Sequence, residues 1–251
     1  QILDSDGSSV AAYDTLTAAI AAAKDGDTVT LLADINNSGR NNVYKKNITI
    51  DFGDYTVTGA KDAIVLFVQE ASVTLEGRTG GIDGGEGGDN VAVCAYTGAE
   101  ITINGGVYTV GASADGSGNA TIYVLSNGNV TINGGTFSSK AAYNGKYYVL
   151  NVQNSASGTF VVNGGTFEKF DPLQGDDNLG GNFAAEGCGA NVDDEGNFTI
   201  VDGVVAQLKG QDGKSIKAYA TLAEAFENVS TGDTVMLLTD ITLTEQINIT
   251  K

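Results

Sequence analysis

Apolar and polar residues alternate strictly in a series of short segments that recur along the chain. Ile48 and Ile50 are followed by Val73 and Leu75, Ile101 and Ile103, Val130 and Ile132, Phe160 and Val162, and Phe198 and Ile200. Alternate residues of a strand point to opposite faces, so each pair shares one inward face. Thr49, Thr74, Thr102, Thr131 and Thr199 fall between the pair members and face outward, with Val161 interrupting the threonine row.

Three of these segments run into the same turn. ITINGGVYTV (101–110), VTINGGTFSS (130–139) and FVVNGGTFEK (160–169) place Asn104, Gly105 and Gly106, Asn133, Gly134 and Gly135, and Asn163, Gly164 and Gly165 at equivalent positions. Asn and Gly tolerate backbone angles that other residues avoid, so the chain bends there. Tyr108, Phe137 and Phe167 follow the turns in register and read as stacked core. A further strand precedes each alternating segment, at 63–68, 90–95, 120–125 and 148–153. Three strands per period, repeated with similar turns, describe one coil of a parallel β-helix. Counting inward pairs predicts about six coils, the last less regular.

A second repeat has a much longer period. AYDTLTAAIAAAKDGDTVTLLADI (12–35) and AYATLAEAFENVSTGDTVMLLTDI (218–241) match at 13 of 24 positions without a gap, at an offset of 206. Each copy reads as a short helix, a Gly-Asp turn and a buried strand. Leu16, Ala19, Ile20 and Ala23 form the apolar helix face. Thr221 and Glu224 make a capping-box pattern. The helix is expected to lid the open end of the coil stack, where apolar core and unpaired edge would otherwise meet water. The expected organisation is a β-helix module over 1–217, opened by the capping helix and strand at 12–35. Residues 218–251 then start a second copy, either as a truncated beginning or as an element for end-to-end docking.

Composition narrows the function. The chain has 251 residues, 35 of them Gly and one Pro, and a net charge of −18. Arg40 and Arg78 are the two arginines, and no basic cluster exceeds Lys45–Lys46. Nucleic acid is therefore not an expected partner, since phosphate contacts need clustered cations. No apolar run approaches the ~18 residues of a membrane span, so no direct membrane insertion is expected. Histidine is absent, which excludes His-based nucleophile systems and metal sites. No phosphate-binding loop motif occurs. Cys94 and Cys188 are either a pair or two separate buried thiols.

The element from Tyr13 to Ile35, followed by Ile48–Ile50, resembles the opening segment of pectate-lyase-like right-handed parallel β-helices. The recurring I-T-I-N-G-G-T-F is similar to the coil repeat of adhesin-like modular surface proteins of gut-type Firmicutes. This resemblance implies an all-β, right-handed parallel β-helix (a solenoid) with a short N-terminal capping helix. It is specific for architecture and weak for function, because lyases, hydrolases and passive adhesins share the scaffold. A polysaccharide lyase of this kind would need an Arg or Lys base with Ca²⁺ held by carboxylates. Here Arg78 has Asp83, Glu86 and Asp89 near it in sequence. A glycoside hydrolase would need paired carboxylates on one face, and none recurs at strand positions. Asp176, Asp177, Asp193 and Asp194 lie in Gly- and Asn-rich loops and are the Ca²⁺ candidates; no other cofactor is expected.

The expected function is a non-catalytic, extracellular or cell-surface structural and adhesive module, a rigid stalk whose longer loops (111–119, 140–147, 171–196) carry recognition. Tyr143, Tyr147 and Tyr148 are the candidate binding residues, and host or microbial glycans the candidate ligands. Neighbouring copies of the module, in tandem or as separate subunits, are the expected partners. A filament subunit joined through 218–251 and a carbohydrate-active enzyme are the alternatives.

Overall fold

The computed structural model describes residues 1–88, 90–111, 120–142, 145–175 and 181–243. It is a parallel β-helix with three faces. The first face stacks Thr28–Thr30, Asn47–Asp51, Ser72–Glu76, Glu100–Ile103, Asn129–Ile132 and Thr159–Val162 in parallel. The second stacks Ile35–Ser38, Thr56–Gly59, Gly81–Asp83, Val107–Val110, Thr136–Ser139 and Gly165–Glu168. The third holds Asn41–Tyr44, Ile64–Gln69, Val91–Ala95, Ala120–Val124 and Leu150–Val152.

The register follows the apolar pairs. Ile48 lies beside Val73, Val73 beside Ile101, Ile101 beside Val130 and Val130 beside Phe160, all buried. Thr49, Thr74, Thr102 and Thr131 form the adjoining outer row, which ends at the exposed Val161. A slip of one residue would turn the whole apolar row to water, so burial fixes the pairing.

Two side-chain ladders run through the turns. The Asn104 amide donates to Glu76 Oε1 at 2.7 Å, Asn133 to Asn104 Oδ1 at 2.8 Å and Asn163 to Asn133 Oδ1 at 2.9 Å. Behind the asparagines, a Cβ on Gly134 would lie 2.7 Å from the Asn104 carbonyl oxygen. Gly135 has φ +108°, a region that L side chains rarely adopt. Inside the coil, Tyr108, Phe137 and Phe167 stack as expected, with centroid separations of 5.3 and 5.0 Å.

The sixth apolar pair does not add a coil to the parallel stack as expected. Phe198 and Ile200 belong to Asn197–Val201, which runs antiparallel to Gly165–Glu168 and to Gly189–Val192. Alternation has the same period in either direction, so the apolar pair does not reveal the reversal. The turn Asp193–Gly196, with Gly196 at φ +83°, makes it. This hairpin closes the second face. On the first face, the Val162 N–H donates to the Phe183 carbonyl and the Val162 carbonyl accepts the Ala185 N–H, which covers the last strand. Both devices protect edges that would otherwise pair with other chains.

The cap at the start of the chain is a three-stranded antiparallel sheet with a helix. Ile2–Leu3 lies between Ser9–Ala11 and Thr28–Thr30, and helix α1 spans Leu16–Ala22. Thr15 caps the helix by accepting the Ala18 N–H. Lys46 donates to the carbonyls of Ile20, Ala21 and Ala23 at 2.7–2.8 Å, which pins the helix C-terminus to the coils. The expected apolar face of Leu16, Ala19, Ile20 and Ala23 is buried.

The same cap recurs near the end of the chain. Ala206–Lys209 lies between Ser215–Tyr219 and Thr234–Leu237, and helix α2 spans Leu222–Asn228. Thr221 and Glu224 form the expected capping box. The pairings repeat at the offset of 206: Ile2 beside Val29 becomes Leu208 beside Val235, and Leu3 beside Ser9 becomes Lys209 beside Ser215. The structural recurrence therefore begins before the 218 at which the sequence match starts. Residues 1–11 and 207–217 share only Gln, Asp, Gly and Ser at matching positions (1, 6, 7 and 9 of the first copy) over one backbone design.

Candidate functional site

The second cap rests on the closing hairpin. Around Gly189, a Cβ would meet Ala218 Cβ at 2.7 Å, Gln207 Oε1 at 2.9 Å and Leu238 Cδ1 at 2.9 Å. The Gln207 carboxamide accepts the Ala190 N–H at 2.7 Å and donates to the Ala190 carbonyl at 3.0 Å. The Ala218 N–H donates to Asn191 Oδ1 at 3.0 Å, and the Ser215 N–H to Asp171 Oδ2 at 2.7 Å. Gln207, Ser215 and Asp171 are all buried. Buried polar groups that find partners specify one docking geometry.

Beside this junction lies an open cleft of about 470 Å³, lined by Tyr147, Lys169, Phe198, Asp212, Lys214 and Ser215 among others. Lys169 sits at φ +55° and holds its ammonium 5.6 Å from the centre of the Tyr147 ring. Asp212 accepts the Lys214 N–H at 3.0 Å, as a turn residue. The Ser215 hydroxyl is buried and has no hydrogen-bond partner among the described residues. An aromatic ring, two ammonium groups and a carboxylate in one open cleft are the elements of a polar, sugar-sized site.

Of the candidate tyrosines, Tyr147 is the one that lines the cleft. Tyr148 is half-buried, and its carbonyl accepts the Thr121 N–H at 3.2 Å as part of the coil stack. Tyr143 lies outside the described residues, as do the Ca²⁺ candidates Asp176 and Asp177. Asp193 spends its oxygens on the hairpin turn, accepting N–H groups of Glu195 and Asn197 and the Asn197 side chain. Those bonds, the Asn197 N–H foremost, hold its carboxyl below the ordinary range. Asp194 is exposed. Among the described residues no group of three or more Asp, Glu or Cys side chains converges on a metal-sized space.

The lyase constellation is dispersed. Arg78 forms a two-point pair with Asp54, which also accepts the Thr79 hydroxyl. The Asp54 carboxylate raises the Arg78 pKa further, which is the wrong direction for a base. Asp83 is engaged by Lys140 at 2.8 Å, across two coils. Asp89 lies outside the described residues. Cys94 and Cys188 are buried, separate thiols. Burial pushes the Cys94 pKa up to about 12, so it stays protonated at neutral pH. No described helix is long and apolar enough to cross a membrane.

Sequence reasoning missed one surface. The outer side of the third face stacks Phe67, Cys94 and Tyr123 in register, with Ile64, Val91, Tyr96 and Leu125 around them. The Arg40 guanidinium lies 3.5 Å over the Phe67 ring. The signal was present: IVLFV and VAVCA are apolar at every position, as strands covered on both sides are.

Comparison with protein-family models, with curated proteins and with solved structures returned no match.

Proposed function

We propose that the chain is a non-catalytic structural module of a repetitive extracellular protein, of the pectate-lyase-like and adhesin-like kind its sequence resembles. In this reading it is a stiff spacer. Parallel coils advance by about 4.8 Å each and share one continuous core. The observation that carries the reading is the cap over 206–238, which repeats the opening cap and is seated through Gln207, Ser215 and Ala218 on the end of the preceding coils. Repeat arrays are stabilised by such nearest-neighbour interfaces.

The side of the second cap that corresponds to the coil-bearing side of the first supports the same reading. Leu31 is 5% exposed and Leu237 is 51% exposed, while Val235 and Phe226 are half-buried. That side has the apolar chemistry to receive another coil.

A tandem chain, residues 1–206 placed directly before the full 1–251, tests this. Small-angle scattering should give a monomer lengthened by one module at a fixed angle. A particle that samples many inter-module angles would overturn the spacer reading. Concentration-dependent assembly of the single chain would favour the filament alternative.

The cleft beside the junction supports a recognition role in addition. Tyr147 with Lys169 and Lys214 suits an acidic sugar, the ring stacking on the aromatic face and the carboxylate meeting the ammonium groups. Binding on a glycan array that survives Tyr147→Ala would remove the cleft from this role.

A further inference from the structure

The opening cap leaves more open to water the residues with which the second cap grips the hairpin. At the offset of 206, the residues that surround Gly189 or meet Asp171 are Gln207, Ser215, Ala218 and Leu238. Their counterparts are Gln1, Ser9, Ala12 and Leu32, identical at all four positions. Among the neighbouring positions, Asp4 and Gly210, Ser5 and Gln211, Ser8 and Lys214, and Ala11 and Lys217 have diverged, while Asp6, Gly7 and Tyr13 recur as Asp212, Gly213 and Tyr219. Ser9 and Ala12 are exposed where Ser215 and Ala218 are buried. Leu32 is 56% exposed, an apolar side chain largely open to water. A concavity of about 160 Å³ lies beside it, lined in part by Gln1, Tyr13 and Leu32.

The two glutamines differ in what they hold. Gln1 turns its side-chain amide onto the Ser9 hydroxyl. Gln207 instead gives its carboxamide to both backbone groups of Ala190, and the Ser215 hydroxyl is left buried with no partner among the described residues. The serine thus supports the glutamine in the uncovered cap and releases it in the covered one.

Resting on the spacer reading above, we infer that the face formed by Gln1, Ser9, Ala12 and Leu32 is a docking surface. Its partner is a closing hairpin of the kind formed by 189–201, supplied by another copy of this module. A glycine at the position of Gly189 admits Ala12 and Leu32. The backbone of the next residue meets the Gln1 carboxamide, which leaves Ser9. Gln1, Ser9, Ala12 and Leu32, whose counterparts make the contacts, are the determinants, and the diverged positions around them are free to vary.

The same tandem chain gives the test, with Ser9→Cys in the downstream copy alone. Cys94 and Cys188 are buried, so the introduced thiol is the one that a reagent meets first. In the single chain carrying Ser9→Cys, that thiol should react as an exposed one. In the tandem it should react more than about tenfold more slowly, because reaction then requires the junction to open. Leu32→Asp in the downstream copy, a change on the open surface of the single chain, should restore fast reaction in the tandem. Equal rates in tandem and single chain would overturn the inference, as would protection that persists with Leu32→Asp. A tandem that scatters as a stiff rod while the introduced thiol stays reactive would leave the spacer reading standing and remove this docking face from it.

Discussion

Gln207 and Ala190 are joined by a reciprocal pair of hydrogen bonds, at 2.7 and 3.0 Å, with both residues fully buried. The pair couples the second cap to the end of the first coil stack. It also explains why one glutamine of the repeat is structural and its counterpart Gln1 is not, within a single chain. Gln207→Ala strips the partner from a buried N–H and a buried carbonyl at once. The expected cost is on the order of 2 kcal/mol, since an unsatisfied buried polar group costs more than a made bond contributes. Gln1→Ala should change stability by less than about 0.5 kcal/mol, as a surface substitution does. Urea unfolding of both variants, with hydrogen exchange at the Ala190 amide, checks the contrast. Equal costs would mean that the junction is not held by this pair.

The turn ladder predicts an order of effects at adjacent residues. Asn133→Ala removes one bond to Asn104 and one from Asn163 at an exposed site, an expected loss of about 1 kcal/mol. Gly134→Ala should cost more, about 1–3 kcal/mol, because its Cβ would press on the Asn104 carbonyl of the coil below. The neighbour is backbone and cannot swing aside. Urea midpoints decide the order, and a milder Gly134→Ala would mean that the coils can separate locally.

How much of this was legible follows from what each signal encodes. The pairs from Ile48 to Phe160 predicted strand, face and register together, because a buried row tolerates no slip. The three Asn-Gly-Gly turns predicted where the chain bends and where Tyr108, Phe137 and Phe167 stack. Direction was not legible: Phe198 and Ile200 alternate like the others, yet their strand runs antiparallel after the Asp193–Gly196 turn. The start of the second cap was missed because residues 207–217 resemble 1–11 in pattern more than in identity, and the recurrence shows in strand pairings at the offset of 206. Tyr147 stands out in the sequence as an aromatic in a loop-like insertion. Its neighbours Lys169 and Ser215 come from distant segments that only the fold brings together.

The aromatic stack should dominate the stability of the middle coils. Phe137 lies between Tyr108 and Phe167, fully buried, with ring planes within 14° of both neighbours. Phe137→Ala is expected to cost about 3–5 kcal/mol, and Phe137→Leu less because the cavity is smaller. Near-UV circular dichroism should lose the coupled aromatic signal in both variants. A cost of Phe137→Ala below about 2 kcal/mol would mean that the neighbouring coils collapse into the space.

The closing hairpin should be the acid-sensitive element. Asp193 has its pKa held below the ordinary value, chiefly by the Asn197 N–H, so it binds its proton more weakly folded than unfolded. The stabilisation is present above the unfolded value of about 4 and is lost as pH falls through the lower folded value. Exchange protection at Asn197 should therefore drop in that window, before the coils respond. Asp193→Asn should show little of this pH dependence. Protection at Asn197 that is unchanged down to pH values where the coils themselves open would place the acid-sensitive groups elsewhere.

The opposite sign governs the coil interior. Burial pushes the Cys94 thiol from 9.0 up to about 12, and burial also raises Tyr108. Both groups hold their protons in the folded chain after the unfolded chain would release them. Their contribution to stability is complete below the unfolded pKa values and declines as pH rises from about 9 toward the folded values. The urea midpoint should be flat from neutral pH to about 9 and fall beyond it. Cys94→Ala removes one of the titrating groups, so its midpoint should fall less steeply over the same range, whatever its value at pH 7. The thiol should also resist modification at pH 8 until the coils unfold, because both ionisation and access require opening. Rapid labelling of Cys94 in the folded protein at pH 8 would mean that the outer row of Phe67, Cys94 and Tyr123 opens on its own, and the alkaline slope would then have to come from the other groups that burial raises, Tyr108, Tyr123, Cys188 and Tyr219.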